Sequence, residues 1–253
     1  MNFERTRDLL IVLTQKELKA RYKHMKLGYL WSLGNPLAYG LIYWLVFQFV
    51  MKVKIEGFPL FLVTGLFPWQ WFVNSIGVSA NTFVGNASLI KKVNFPRNLL
   101  SLVVSTQDLI HFLAALPIIF GFMLMYQKPF SPLLLIGIPA LATVQLLYTY
   151  SLGLIVSTVN IFFRDAERLI GIMVTFLFYL TPIVYNLDMV PEQFRNYVIL
   201  NPLAPLILSW RGLFLEGQLN GIWVGISLSY GLLFLAVGQW IYRKLSWRFA
   251  EVL

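Results

Sequence analysis

The sequence predicts an all-α polytopic membrane protein with six transmembrane helices. Of its 253 residues, 58% are hydrophobic and only 12% are charged, roughly half the charged fraction of an ordinary soluble domain. Apolar stretches recur from residue 28 to residue 242 with no long polar segment between them. Basic residues concentrate in alternate connections between these stretches, as in loops that stay on the cytoplasmic side. We therefore expect one membrane domain, residues 1–253.

Each span needs roughly 20 apolar residues, because lipid offers the backbone no hydrogen-bond partner across a core about 30 Å thick. Six stretches meet this need, at residues 28–51, 59–84, 98–125, 132–162, 168–185 and 222–242. Pro68, between Phe67 and Trp69, predicts an interruption near the outer end of the second span. Residues 186–221 are too polar and too rich in proline to span, and predict short re-entrant or interfacial helices.

The distribution of basic residues sets the expected orientation. With both termini in the cytoplasm, the inner segments hold all but five of the 20 Lys and Arg residues, the exceptions being Lys52, Lys54, Lys128, Arg195 and Arg211. The net charge of +9 thus fits a membrane surface better than nucleic acid. An even number of spans agrees with both ends lying on one side.

The first 27 residues predict an amphipathic interface helix, since they are too charged for a cleavable signal peptide. One helical stripe is basic and another is apolar with Ile11, Leu18, Tyr22 and Met25; the basic stripe consists of Lys16, Lys19, Lys23 and Lys26. Such a helix serves equally as a topology anchor or as a docking site for a partner. Residues 243–253 form a short cytoplasmic tail.

Enzymatic chemistry has little support in the sequence. There is no cysteine, and His24 and His111 are the only histidines, so we expect no metal centre. No G-x-x-x-x-G-K-[ST] phosphate loop occurs, and no paired carboxylates are evident. We expect a protein without catalytic residues and without a cofactor of its own.

Asp108 and His111 lie one turn apart on the third span. An intramembrane carboxylate is costly and needs a partner. A proton relay and a buried pair that orients helices both account for them, and the pair is favoured because no second carboxylate lies within the six spans.

Four groups of motifs occur in order over nearly the whole chain. They are Arg21-Tyr22-Lys23, Leu27-Gly28-Tyr29-Leu30-Trp31 and Asn35-Pro36-Leu37 at the first span; Asn86 to Arg97 after the second; Asn160, Phe163-Arg164-Asp165, Tyr179, Thr181-Pro182-Ile183 and Tyr185 around the fifth; and Asn201-Pro202 with Arg211 before the last. In this order they resemble the ABC-2 family of bacterial permeases, specifically its exporters of polysaccharide and polyol phosphate polymers.

The resemblance implies the permease subunit of an exporter in the bacterial inner membrane. A separate P-loop ATPase subunit, in two copies, would bind ATP and Mg, and a second copy of this chain would complete a pore. The implied substrate is an undecaprenyl-linked polysaccharide similar to O-antigen. Alternatives are a teichoic acid or capsular polymer, a drug, or a secondary carrier without an ATPase.

The loop after the second span resembles the family's ATPase-contacting loop and predicts a coupling helix. Its apolar residues would fill a groove on the ATPase while its lysines fix the register; positive-inside topology alone is the alternative. The residues concerned are Ser88, Leu89, Ile90, Lys91, Lys92, Phe95 and Arg97.

A second cytoplasmic junction carries opposite charges in a short run, Arg164, Asp165, Glu167 and Arg168. Spacing of four residues suits ion pairing that locks the junction. Contact with the ATPase or with a substrate pyrophosphate is the functional alternative, since the arginine fork suits phosphate.

Aromatic residues at helical spacing predict either packing or a pore lining. Flat rings contact the apolar faces of sugars and hydroxyl groups bond their edges, which would let a polymer slide. The candidates are Tyr39, Tyr43, Phe47, Trp69, Trp71, Phe178, Tyr179 and Tyr185. The short helices expected in 186–221 would be an outer gate by resemblance, or otherwise a plain cap.

Overall fold

The computed structural model describes residues 3–22, 28, 30–52 and 55–253, and every regular element within these ranges is helical. The helices are α1 (Phe3–Tyr22), α2 (Leu30–Leu45), α3 (Phe58–Gly85), α4 (Ala87–Lys92), α5 (Leu99–Met125), α6 (Leu134–Phe162), α7 (Ala166–Leu180), α8 (Glu192–Leu200), α9 (Ala204–Arg211), α10 (Gly221–Leu245) and α11 (Phe249–Val252). Two π-helical turns, Val46–Val50 and Gly212–Glu216, continue α2 and α9. The all-α prediction is confirmed for these residues.

Four helical segments in the described part of the chain are long and apolar enough to cross a membrane, Leu33–Val50, Leu99–Met125, Leu134–Phe162 and Gly221–Arg248. They coincide with the first, third, fourth and sixth predicted spans. The second predicted span is α3, which has 28 residues but carries several polar side chains. The fifth is α7, which has only 15 residues. The six-span count therefore stays a prediction.

The centre of the fold is α3, which contacts α2, α5, α6, α7 and α9. The predicted interruption at Pro68 is wrong, because the helix runs without a break from Phe58 to Gly85. Proline removes the helical hydrogen bond to the carbonyl four residues earlier, that of Thr64, and membrane helices tolerate it where neighbouring helices pack against them. Beside it, the Gln145 side chain of α6 joins α3 to α9: it donates to the Pro68 carbonyl at 2.6 Å, and its oxygen accepts from Trp210 Nε1 at 2.6 Å.

Small residues let α3, α5 and α6 approach closely. A Cβ built at Gly153 of α6 would lie only 2.5 Å from Ser79 Oγ of α3. Nearby, the hydroxyl groups of Ser101 and Ser157 share a hydrogen bond at 3.1 Å. These contacts form the interior of the bundle.

The segment between α7 and α10 folds into two short helices, α8 and α9, as its prolines predicted. Arg211, at the end of α9, is 5% exposed and donates to the carbonyls of Pro182 and Ile183 at 2.7 and 2.9 Å. Its guanidinium lies 3.6 Å from the Phe61 ring centroid. A Cβ at Gly65 would come within 2.9 Å of a guanidinium nitrogen, so a larger residue there would shift the arginine head group. Arg211 thereby holds the end of α7 against α3.

Candidate functional site

A groove of about 690 Å³ opens between α2, α3, α5 and α7. Side chains from all four helices line it, together with Arg21 from α1: Arg21, Trp31, Asn35, Pro36, Tyr39, Tyr43, Trp69, Gln70, Val73, Asn74, His111, Val174, Thr175, Phe178 and Tyr179. Its volume matches that of sites that hold small organic groups.

One end of the groove is a continuous series of aromatic rings. Tyr39 and Tyr43 are one turn apart on α2 and stack at 6.4 Å. Tyr43 stacks on Phe178 at 5.2 Å, and Phe178 lies 5.6 Å from Trp69 and 5.3 Å from Tyr179. Such rings offer flat apolar faces, with tyrosine hydroxyl groups at their edges.

The other end of the groove carries several polar side chains next to one ring, Trp31, which lies one turn before Asn35 on α2. Asn35 lies eight residues before Tyr43 on α2, which separates them by about 12 Å along the helix. Arg21, Asn74 and His111 line this polar end with it. The groove therefore offers both hydrogen-bonding groups and aromatic faces.

Five of the eight predicted pore residues line the groove, and three do not. Phe47 lies further along α2, where it contacts Tyr43 and Phe58. Trp71 is 2% exposed and packs against Phe112 inside the bundle, 5.3 Å between ring centroids. Tyr185 lies beyond the end of α7, outside the lining.

Asp108 binds an arginine that the sequence analysis did not pair with it. Its side chain is 2% exposed and accepts hydrogen bonds from Arg21 at 2.9 Å and from Ser75 at 2.8 Å. The ionic partner thus comes from α1, and the expected pairing with His111 is replaced by this contact. Helical spacing places Arg21 on the same face of α1 as Leu10 and Thr14. This spacing was the sequence signal that Arg21 could face the bundle.

The packed face of α1 differs from the predicted one. Leu13 is 6% exposed and Leu9 and Leu10 pack beside it, whereas Ile11 is 47% exposed. Lys16 and Lys19 are exposed, as expected of a basic stripe. Lys23 and Lys26 lie outside the described residues.

The predicted coupling loop contains a real helix, α4. Its residues Ser88, Lys91 and Lys92 are exposed, whereas Leu89 and Phe95 are half-buried. The prediction for Ile90 needs correction, because Ile90 is 3% exposed and its side chain packs within this chain. Val93 is an apolar residue of this loop that is exposed to solvent, at 49%.

Arg97, the last residue of the predicted set, is turned towards the end of its own chain. It donates to the Ser246 carbonyl at 2.7 Å, and its guanidinium lies 5.9 Å from the Phe249 ring centroid. This contact between Arg97 and the C-terminal tail was not predicted from the sequence.

At the second junction, between α6 and α7, all four charged residues are exposed: Arg164, Asp165, Glu167 and Arg168. The ion pairing expected from their spacing is not formed within the part of the chain that the structure describes. Their charges project outward, next to Phe163, which is 49% exposed. No three metal-ligating side chains come together among the described residues.

The family described as ABC-2 type transporter matches residues 8–215. The chain is 46% identical over 246 residues to the O-antigen export system permease protein RfbA of Klebsiella pneumoniae, covering 97% of this chain and 95% of that protein. It is 35% identical to the protein of the same name from Myxococcus xanthus, with 84% and 82% covered, and 24% identical to the polysialic acid transport protein KpsM of Escherichia coli, with 95% of each covered.

Proposed function

Because this chain belongs to the ABC-2 type transporter family, we propose that it is the permease subunit of an ATP-driven exporter of an undecaprenyl-linked polysaccharide similar to O-antigen. The groove carries the proposal, since stacked rings at one end and hydrogen-bonding groups at the other suit a sugar polymer. The relatives that share 46% and 35% identity are O-antigen export system permease proteins, which supports the same substrate class.

In this proposal α3 and α7 are the second and fifth of six spans, with both termini on the cytoplasmic side. The 28 residues of α3 reach about 42 Å, enough to cross the bilayer. Among its polar side chains, Ser75 and Ser79 are fully buried against other helices, and Gln70 and Asn74 line the groove. The short α7 is extended beyond Leu180 by the non-helical segment to Tyr185.

A second copy of this chain would close the groove into a pore. The groove walls α2 and α7 expose apolar side chains beside it, including Tyr39 at 49% and Tyr179 at 66%. Two grooves facing each other across a two-fold axis would enclose a passage lined with rings. The stacked rings would contact the sugars without gripping them.

Energy would come from two copies of a separate ATPase subunit, which carries the ATP and Mg. The exposed basic face of α4, formed by Ser88, Lys91 and Lys92, and the exposed charges after α6 together offer a surface for that subunit. Coupling at short cytoplasmic helices lets closure of the ATPase move the spans attached to them.

Two alternatives are ranked by specific observations. A capsular polymer is the second candidate, because the polysialic acid transport protein is similar over 95% of the chain, though only at 24% identity. A secondary carrier is disfavoured. Asp108 is the one buried acidic residue in the described part of the chain, and Arg21 and Ser75 already occupy its oxygens.

The groove is tested with Tyr39→Ala, Tyr43→Ala and Tyr179→Ala. The matched control is Phe176→Ala, since Phe176 and Tyr179 lie on α7 with 66% exposure each but only Tyr179 lines the groove. We expect the tyrosine variants to assemble with the ATPase and to export less polymer, measured in cells as surface polysaccharide. Normal export by the three tyrosine variants, or an equal loss in Phe176→Ala, would refute the pore role of these residues.

A further inference from the structure

The C-terminal tail carries a fully buried side chain, Phe249. A 3₁₀ turn at Ser246–Arg248 is followed by α11, and Phe249 at its start is 0% exposed. Phe249 belongs to a cluster that is separate from the main core and joins α1, α3, α4, α5, α6 and α11: Leu13, Phe83, Ile90, Leu100, Val103, Leu154, Ile161 and Phe249.

The Phe249 ring contacts the ends of three long helices. Its centroid lies 5.1 Å from that of Phe83 on α3, 6.0 Å from Tyr242 on α10 and 6.3 Å from Phe162 on α6. Aromatic pairs at these separations add to the stabilisation from burial. A single tail side chain therefore ties these helix ends together.

The same tail holds both sides of the coupling helix. Ile90 of α4 is buried in the cluster that contains Phe249, and α11 contacts α4 directly. On the far side of the loop, Arg97 donates to the Ser246 carbonyl at 2.7 Å. Between them, Val93 and Asn94 are exposed and non-helical.

A helix of six residues cannot hold its own geometry, since isolated helices of this length are unstable in water. The orientation of α4 must come from what it packs on, and that support includes α11. If the support were lost, α4 would rock against the bundle when pushed, and the displacement would not reach α3 and α5.

We propose that the C-terminal tail is the internal support of the coupling helix, and that Phe249 is its positioning residue. The inference rests on the proposed function, in which an ATPase pushes on α4. Phe249 does not contact the ATPase in this scheme. It keeps α4 rigid, so that ATP hydrolysis is converted into movement of the spans.

The test compares Phe249→Ala with Trp247→Ala, a matched control because Trp247 is an aromatic residue of the same tail that is 67% exposed. The chain has no cysteine, so Ser88→Cys gives a single site for a nitroxide label on the exposed face of α4. We expect higher nitroxide mobility in purified Phe249→Ala permease and no change in Trp247→Ala.

In the complex with the ATPase, Phe249→Ala is expected to assemble and hydrolyse ATP while exporting several-fold less polymer per ATP. A merely structural role would lower the amount of complex without changing this ratio. Phe249→Leu restores apolar volume and should recover most of both signals. If Phe249→Ala is not recovered from membranes, Phe249→Val, which fills less of the cluster than Phe249→Leu, replaces it, with mobility expected above that of both Phe249→Leu and Trp247→Ala.

Equal nitroxide mobility in the Phe249 variant and in Trp247→Ala overturns the inference, as does an unchanged export ratio. Failure of the proposed function gives a different result. In that case the unmodified chain exports no polymer with its ATPase, whereas the mobility of α4 in the isolated permease still decides whether the tail supports it.

Discussion

The ion pair between Arg21 and Asp108 yields a prediction that the geometry makes quantitative. Arg21 lies at the end of α1 and Asp108 lies inside α5, so their 2.9 Å contact joins the N-terminal helix to the bundle. Replacing Arg21 with Gln leaves a carboxylate that is 2% exposed, with Ser75 as its remaining hydrogen-bond donor. Replacing Asp108 with Asn leaves a guanidinium that is 29% exposed and lines the groove.

The two single variants should therefore differ in cost. Removing one partner of a buried pair costs about 3–5 kcal/mol when the remaining charge stays buried, which describes Arg21→Gln. Asp108→Asn leaves a charge that water in the groove can solvate, so the cost falls to the loss of a charged hydrogen bond, about 1.5–3 kcal/mol. The double variant has no unpaired buried charge and should be more stable than Arg21→Gln alone.

Unfolding of the purified permease in mixed detergent micelles, followed by tryptophan fluorescence, measures these differences. Arg7→Gln is the matched control, because Arg7 lies on the same helix and pairs with Asp8 where both side chains are exposed, 59% and 62%. Exposed pairs contribute little, so the control should unfold like the unmodified chain. The reasoning fails if Arg21→Gln costs no more than Arg7→Gln, or if the effects of the two single variants simply add in the double variant.

Two further variants test the packing of the bundle. Gly153→Leu forces a side chain against Ser79, where a Cβ alone would lie at 2.5 Å, and should cost at least the roughly 1–3 kcal/mol of an overpacked core. In the same unfolding assay, Gly171→Leu should show little change, because its Cβ meets nothing within 4 Å. Equal loss of stability in both variants would contradict the close packing of α3 against α6. Gln145→Leu keeps the volume but leaves the buried Trp210 indole without its acceptor, at about 1–3 kcal/mol, and removes the added bond to the Pro68 carbonyl. Unfolding should occur at lower denaturant with altered tryptophan emission. An unchanged midpoint would show that these bonds contribute nothing.

The positions of the helices could be predicted from the sequence because span length and apolar runs are local properties. The third predicted span, 98–125, differs by one residue from α5, Leu99–Met125. The continuity of α3 through Pro68 could not be predicted, because a proline inside a membrane helix is tolerated according to how neighbouring helices pack around it. Local sequence marks where a helix can break, while tertiary contacts decide whether it does.

The groove was predictable only in part. Tyr39 and Tyr43 share a face because four residues make about one helical turn, and both line the groove. Trp69 and Trp71 differ by about 200° around α3, so both could not face the same wall, and the structure buries Trp71. Phe249 had no local signal, since its burial depends on helices that precede it by many residues.

The buried Arg211 has a consequence for how the chain is assembled in the membrane. A guanidinium in hydrocarbon is costly until its donors are bonded, and its acceptors here are the carbonyls of Pro182 and Ile183, with the Phe61 ring beneath it. These groups are in place only after α3 and α7 have been inserted and packed. We therefore expect α9 to dock only after the helices that it covers have been inserted.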